Sequence, residues 1–243
     1  FIAAMSEIMG DFELAVKESS KVLLVRGEVL PATLDDCVLG ALLCDGQEIL
    51  GETRVGGSAS RIERVFLRPA RPSPLPEALR AIAEADAIVL GPGSLYTSVM
   101  PNLLVNGVAE AIAASEAVKI YVCNVMTEPG ETQGYTAQDH LAAILRHAGP
   151  DVVDWIIVND APISDGMARK YLHEGAEPVK WDSNVLESMG VHVVEAPVVS
   201  QAELVRHDPD AIAAEVMALA LPRRPMLQLG EPADDHGRHE PYE

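Results

Sequence analysis

The chain has 243 residues, 48% of them apolar and 4% aromatic, with 37 acidic against 18 basic residues and a net charge of -19. That length serves one large or two small domains, and that apolar share builds a full core. The charge excludes general nucleic-acid binding, which needs Lys and Arg against phosphates, yet leaves room for one small anion held by a few N–H groups and one Arg.

The opening at Phe1 lacks an initiator Met and reads as a fragment or a miscalled start. Residues 1–9 read as the end of a helix closed by Gly10, with a second short helix over 11–17. A strand over 22–28 and a turn over 30–33 follow. Two strand-like runs, 38–44 and 49–55, are joined by Asp45-Gly46, a hairpin signal. A flexible loop over 56–60 leads to a strand over 62–67 and a stiff proline-rich connector over 69–76. From residue 77 helices and strands alternate: helix 77–84, strand 86–90, helix 101–115, strand 118–123, helix 136–147, strand 153–158, helix 164–174, strand 191–194 and helix 208–220.

The strands near Ala87, Ile120 and Ile156 are apolar runs rather than alternations, the mark of a parallel sheet covered on both faces. With helices between them, the expected fold is α/β: a Rossmann-like doubly wound, mostly parallel sheet, preceded by a β-hairpin-rich insertion. Residues 1–222 are expected to form a single domain, and 223–243 a disordered acidic tail. Cys37, Cys44 and Cys123 make no CxxC pair and no disulfide framework, in keeping with a reducing cytoplasm. No apolar run reaches the roughly 18 residues of a membrane span, and no secretory signal is present.

In doubly wound sheets ligands bind beyond the carboxyl ends of the strands. Gly91-Pro-Gly-Ser94 follows one strand, Asn124-Val-Met-Thr-Glu-Pro-Gly130 the next, and Asn159-Asp160 the third. The first of these reads as a tight turn into a helix start. A helix start offers free N–H groups and the positive end of the dipole to a phosphate, and Gly91 and Gly93 allow close backbone approach. No Lys follows the glycines, so it is not a P-loop, and Tyr96 breaks the dinucleotide G-x-G-x-x-G pattern. A plain strand-to-helix turn is the competing reading.

The loop from Asn124 to Thr136 is long for a compact domain and therefore a candidate for function. Thr136-Ala-Gln-Asp139 fits a capping box. Glu131, Thr132 and Tyr135 have no such structural explanation and are candidate ligand contacts. His140 and His147 share a helix face, but no partner completes a metal set, and no nucleophile elbow marks a Ser-His-Asp triad. Asp208 and Pro209 read as N-cap and first residue of the last helix. Arg206, beside them, is one of few cations in an acidic chain and carries a donor fork suited to phosphate. Arg169 and Lys170 read as a solvated face, and Tyr171 either packs in the core or stacks on a base or sugar.

Three long segments in order carry a resemblance. Val29-Leu-Pro-Ala-Thr-Leu-Asp-Asp36, Gly91-Pro-Gly-Ser-Leu-Tyr-Thr-Ser98 with Pro101-Asn-Leu-Leu104, and Asn124-Val-Met-Thr-Glu-Pro-Gly-Glu-Thr-Gln-Gly-Tyr-Thr136 with Asp139-His140 closely resemble the YvcK family of gluconeogenesis factors, similar in fold to the 2-phospho-L-lactate transferase CofD. The resemblance covers residues 1 to about 220. It implies a cytoplasmic, non-enzymatic regulator that binds UDP-N-acetylglucosamine, with no further cofactor and no metal. Such a regulator adjusts carbon flow into cell-wall precursors, gluconeogenic growth and cell shape. A regulated enzyme of amino-sugar or cell-wall precursor synthesis is the implied partner, and a homo-oligomer is compatible. Ligand positions carried over by the resemblance are Tyr171 and Arg206, joined by Gly93, Ser94 and Thr97 of the glycine loop and by Asn124 and Asn159. The family's GGGTG turn, Asp-Asp-Gly-Gly and Gly-Asp-x-Arg-Asn segments are absent, so the chain is expected to begin just after them and to lack part of the nucleotide site. The alternatives are a CofD-like transferase joining phospholactate from a nucleotide donor to a deazaflavin, and a scaffold acting through protein contacts alone.

Overall fold

The computed structural model describes residues 2–10, 12, 14–16, 18, 27–200 and 204–221. Helix α1 spans Ile2–Met9, and residues 12, 14–16 and 18 are helical. The expected strand over 22–28 lies outside the described residues except for Gly27 and Glu28, which are not in a strand. The expected tail, 223–243, lies outside them as well.

A three-stranded antiparallel sheet comes first, in the order β2-β1-β3, from β1 (Val38–Leu43), β2 (Glu48–Leu50) and β3 (Ile62–Arg68). The Asp45-Gly46 hairpin joins β1 to β2 as the sequence predicts, with the Gly46 N–H donating to the Leu43 carbonyl at 2.9 Å. The second strand is shorter than expected. It ends at Leu50, and Glu52–Gly56 is a short helix, α2, that buries Val55. Residues 49–55 read Ile-Leu-Gly-Glu-Thr-Arg-Val, which carries neither a strand period nor a helix period, so the local pattern could not separate the two.

Helix α3 (Pro76–Glu84) then leads to the second sheet. Strands β4 (Ala87–Leu90), β5 (Val118–Val122), β6 (Trp155–Asn159) and β7 (His192–Ala196) pair in parallel in that order. Between β4 and β5 the expected single helix is three pieces: a π-helical turn at Leu95–Val99, α4 (Met100–Leu103) and α5 (Val108–Ala114). The Asn106-Gly107 turn signal separates the last two. Helix α6 (Ala137–Ala148) joins β5 to β6. Helices α7 (Asp165–His173) and α8 (Ser183–Ser188) join β6 to β7. A two-stranded antiparallel pair, β8 (Val199–Ser200) with β9 (Arg206–His207), precedes α9 (Pro209–Ala220). The sequence reading did not foresee α8, β8 or β9.

Alternate residues of a strand point to opposite faces, and both faces of the parallel sheet are covered along β5 and β6, whereas Val89 of β4, at one end of the described sheet, is exposed. Tyr121, Ile156 and Val158 join a large core that reaches β1 and β3. Their neighbours Ile120, Val122 and Ile157 pack with Ile212 of α9 on the other side. That double burial accounts for the unbroken apolar runs in the sequence. The predicted caps form as well. Thr136 and Asp139 exchange backbone and side-chain bonds as a capping box, and Asp208 accepts from Asp210 and Ala211 ahead of α9. No described helix is long and apolar enough to cross a membrane.

Candidate functional site

Because β4, β5 and β6 run parallel, the loops after them meet at one edge of the sheet. Two adjoining chambers open there. One, of ≈ 440 Å³, is lined by Gly93 after β4, Asn124 and Glu128 after β5, Tyr171 of α7 and Arg206 of β9. The other, of ≈ 360 Å³, lies toward β6 and is lined by Asn159, Asp160, Lys180 and Trp181. Asn124 and Val125 form a wall common to both. Pairing to residues 177–179 stiffens that wall, with the Val179 N–H donating to the Val125 carbonyl at 2.9 Å and the Thr127 N–H to the Glu177 carbonyl at 2.8 Å.

The backbone holding Arg206 is fixed on both sides. The Val205 N–H donates to the Tyr171 hydroxyl at 3.1 Å. His207 Nε2 lies 3.1 Å from the Cys123 carbonyl, and burial lowers the His207 pKa, so the neutral ring donates there. The next residue, Asp208, is the cap of α9. Arg206 itself is exposed, and no ion pair to it forms among the described residues. A rigid backbone thus presents a free guanidinium to the chamber, the arrangement that suits bidentate binding of phosphate.

The glycine loop behaves differently from its sequence reading. The turn after it leaves Tyr96 N–H pointing inward, where Glu131 Oε2 accepts it at 2.9 Å. Glu131 Oε1 accepts the Thr97 hydroxyl at 2.7 Å. The anion at this helical start is therefore the protein's own carboxylate, buried at 6% exposure. Thr132, fully buried, accepts the Glu128 N–H through its hydroxyl at 2.9 Å. Glu131, Thr132 and Thr97 are bonded internally and do not line either chamber. Tyr135 is likewise buried, its hydroxyl 2.9 Å from that of Tyr96.

Glu128 faces the chamber and is half-buried. Burial pushes its carboxyl pKa up, a hydrogen bond from Ser94 opposes this, and the nearby Glu131 charge adds to the rise. The Asn124 amide donates to it at 3.3 Å. Asn159 orients by donating its Nδ2 to the Ala161 carbonyl at 2.8 Å, leaving a buried Oδ1 with no partner among the described residues. All three cysteines are free.

Residues 1–199 match the family described as 2-phospho-L-lactate transferase CofD. The chain is also 48% identical over 217 residues to a gluconeogenesis factor of Halalkalibacterium halodurans, spanning 89% of this chain and 67% of that one. The chain belongs to the CofD family, among the gluconeogenesis factors. The Bacillus subtilis gluconeogenesis factor is 47% identical over 219 residues, spanning 90% of this chain and 69% of that protein. A crystal structure of a UPF0052-family protein from Bacillus halodurans matches with a TM-score of 0.85 at 47% identity, over 89% of this chain and 70% of that one.

Within this CofD-family chain, the residues expected from sequence divide by place. Gly93, Asn124, Tyr171 and Arg206 meet in the larger chamber, and Asn159 lines the smaller. Ser94 lines neither chamber and is linked to the larger one only by its bond to Glu128. The sequence reading passed over Glu128, Trp181 and His207. Signals for them existed: a second Glu in the long loop, one of two Trp in an aromatic-poor chain, and a His adjoining Arg206.

Proposed function

We propose that this chain is a cytoplasmic regulator that binds UDP-N-acetylglucosamine and thereby adjusts carbon flow into cell-wall precursors, gluconeogenic growth and cell shape. One observation carries the reading. Gly93, Asn124, Tyr171 and Arg206 come from separate segments yet line one chamber at the carboxyl ends of the strands. Arg206 serves the diphosphate, and Gly93 allows its close approach. The adjoining chamber, with Trp181 and mainly apolar walls, suits a flat ring at the far end of the same molecule. The regulated enzyme of amino-sugar or cell-wall precursor synthesis is part of the same proposal.

Calorimetric titration with UDP-N-acetylglucosamine, and with GDP as comparator, tests it. Selective binding of the nucleotide sugar without turnover, abolished by Arg206→Glu, is the expected result. The matched family's transferase description and a chamber-facing acid, Glu128, favour one second reading, nucleotide-dependent transfer. Selective GDP binding with product formation would establish that instead. If a folded protein bound neither ligand, a scaffold role would replace both.

A further inference from the structure

Among the groups lining the larger chamber, Glu128 conflicts with an anionic ligand. It shares that lining with Arg206, so a diphosphate seated on the guanidinium enters a chamber that also holds this carboxyl group. Two carboxylates stand close together here, and they are not equivalent. Glu131 accepts the Tyr96 N–H on one oxygen and the Thr97 hydroxyl on the other, so both of its oxygens are engaged within the protein. Glu128 receives the Asn124 amide, at 3.3 Å, and a bond from Ser94. No ion pair to it forms among the described residues. Glu174, Tyr171 and His207 complete the titratable lining, and Tyr121 lies behind it. His207 is committed to the Cys123 carbonyl.

We propose that Glu128 takes up one proton from solvent when the diphosphate of a nucleotide sugar seats on Arg206, and then donates its O–H to a phosphate oxygen. The inference rests on the function proposed above. A neutral carboxyl removes the repulsion and supplies a donor, whereas an ionised one offers only acceptors to an anion that has no hydrogen to give. The burial that already raises the Glu128 pKa works in the same direction. Arg206 and Glu128 would therefore both hold the same diphosphate, one by its charge and one by an acquired proton.

UDP-N-acetylglucosamine is the right probe, because its doubly esterified diphosphate does not titrate near neutral pH. Titrations at pH 7.5 in two buffers of different ionisation enthalpy count the protons exchanged. Uptake approaching one proton per ligand is expected, and affinity should fall by up to about tenfold per pH unit as pH rises. In Glu128→Gln, whose amide is a permanent donor, the uptake should vanish and the pH slope flatten. Binding without proton uptake overturns the inference and leaves the proposed function standing. Uptake that persists in a folded Glu128→Gln overturns it too, because the proton then belongs to another group, His207 foremost. No binding of the nucleotide sugar at any pH overturns both.

Discussion

The Glu131 carboxylate accepts the Tyr96 N–H at 2.9 Å from a position 35 residues away in the chain. With the Thr97 hydroxyl on its other oxygen, it closes the π-helical turn that follows the glycine loop. The long loop after β5 and the loop after β4 are thus tied together beneath the larger chamber. Removing the carboxylate strands a buried N–H and a hydroxyl. Glu131→Ala should cost roughly 2–4 kcal/mol in chemical denaturation, and Glu131→Gln less. A loss under about 0.5 kcal/mol would deny the tie its structural role.

Gly130 lies in the same loop, at φ 87, with its α-carbon against the Gly56 backbone of α2. A methyl group there would collide with the Gly56 carbonyl oxygen. Gly149, at φ 86, has nothing within 4 Å of the same added atom. Gly149→Ala should cost only its backbone strain, roughly 1–3 kcal/mol, because ψ -178 with positive φ is a conformation essentially restricted to glycine. Gly130→Ala should cost about 2 kcal/mol more, because backbone must move. Thermal melting of the two variants side by side measures the difference, and equal losses would mean that the loop yields freely.

Tyr171 holds Val205, and through it Arg206. Tyr171→Phe keeps the ring and removes the tie. Stability should fall by about 1 kcal/mol, and affinity for the nucleotide sugar by roughly threefold to tenfold as the guanidinium loses its fixed base. Calorimetry on Tyr171→Phe beside Arg206→Glu ranks the two effects. An unchanged Tyr171→Phe affinity would show that β9 needs no such support.

Burial lowers the pKa of His140, His147 and His207, so all three are held neutral in the fold. His140 is fully buried, edge-on to Tyr135, with its Nδ1 bonded to the Thr136 carbonyl at 2.8 Å. The unfolded chain binds these protons at the ordinary value of 6.5, and the folded chain only at lower pH. Their stabilising contribution is complete above pH 6.5 and is lost as pH falls from there toward the folded-state values. Urea midpoints at pH 7.5 and 5.5 should show the loss, and His140→Gln should reduce it. A midpoint constant over that interval would contradict the burial argument.

Much of the parallel sheet was legible because the apolar runs around Ile120 and Ile156 reflect burial on two faces, whereas the run from Ala87 read the same way although Val89 is exposed. Thr136 and Asp208 were legible as caps because a cap is a local bond. Glu131 was not. Its sequence neighbourhood marks an unexplained acid in a polar loop, and its partner Tyr96 is fixed only by the fold. Residues 49–55 failed for a related reason, since Val55 is buried in a short helix by tertiary packing that the local sequence does not show. Arg206 was found through its rarity in an acidic chain, whereas Glu128 was hidden by the abundance of acids.

Asn124 and Val125 face both chambers from a wall that paired backbone keeps stiff. A molecule entering both sides is therefore held at two points whose spacing the protein sets in advance. Once one end is bound, the other meets its chamber at a high effective concentration. Uridine and a sugar phosphate offered separately gain nothing from this, so their combined binding energies should fall well short of that of the joined ligand. Under the proposed function, a protein built so would answer to the intact activated sugar rather than to its breakdown products.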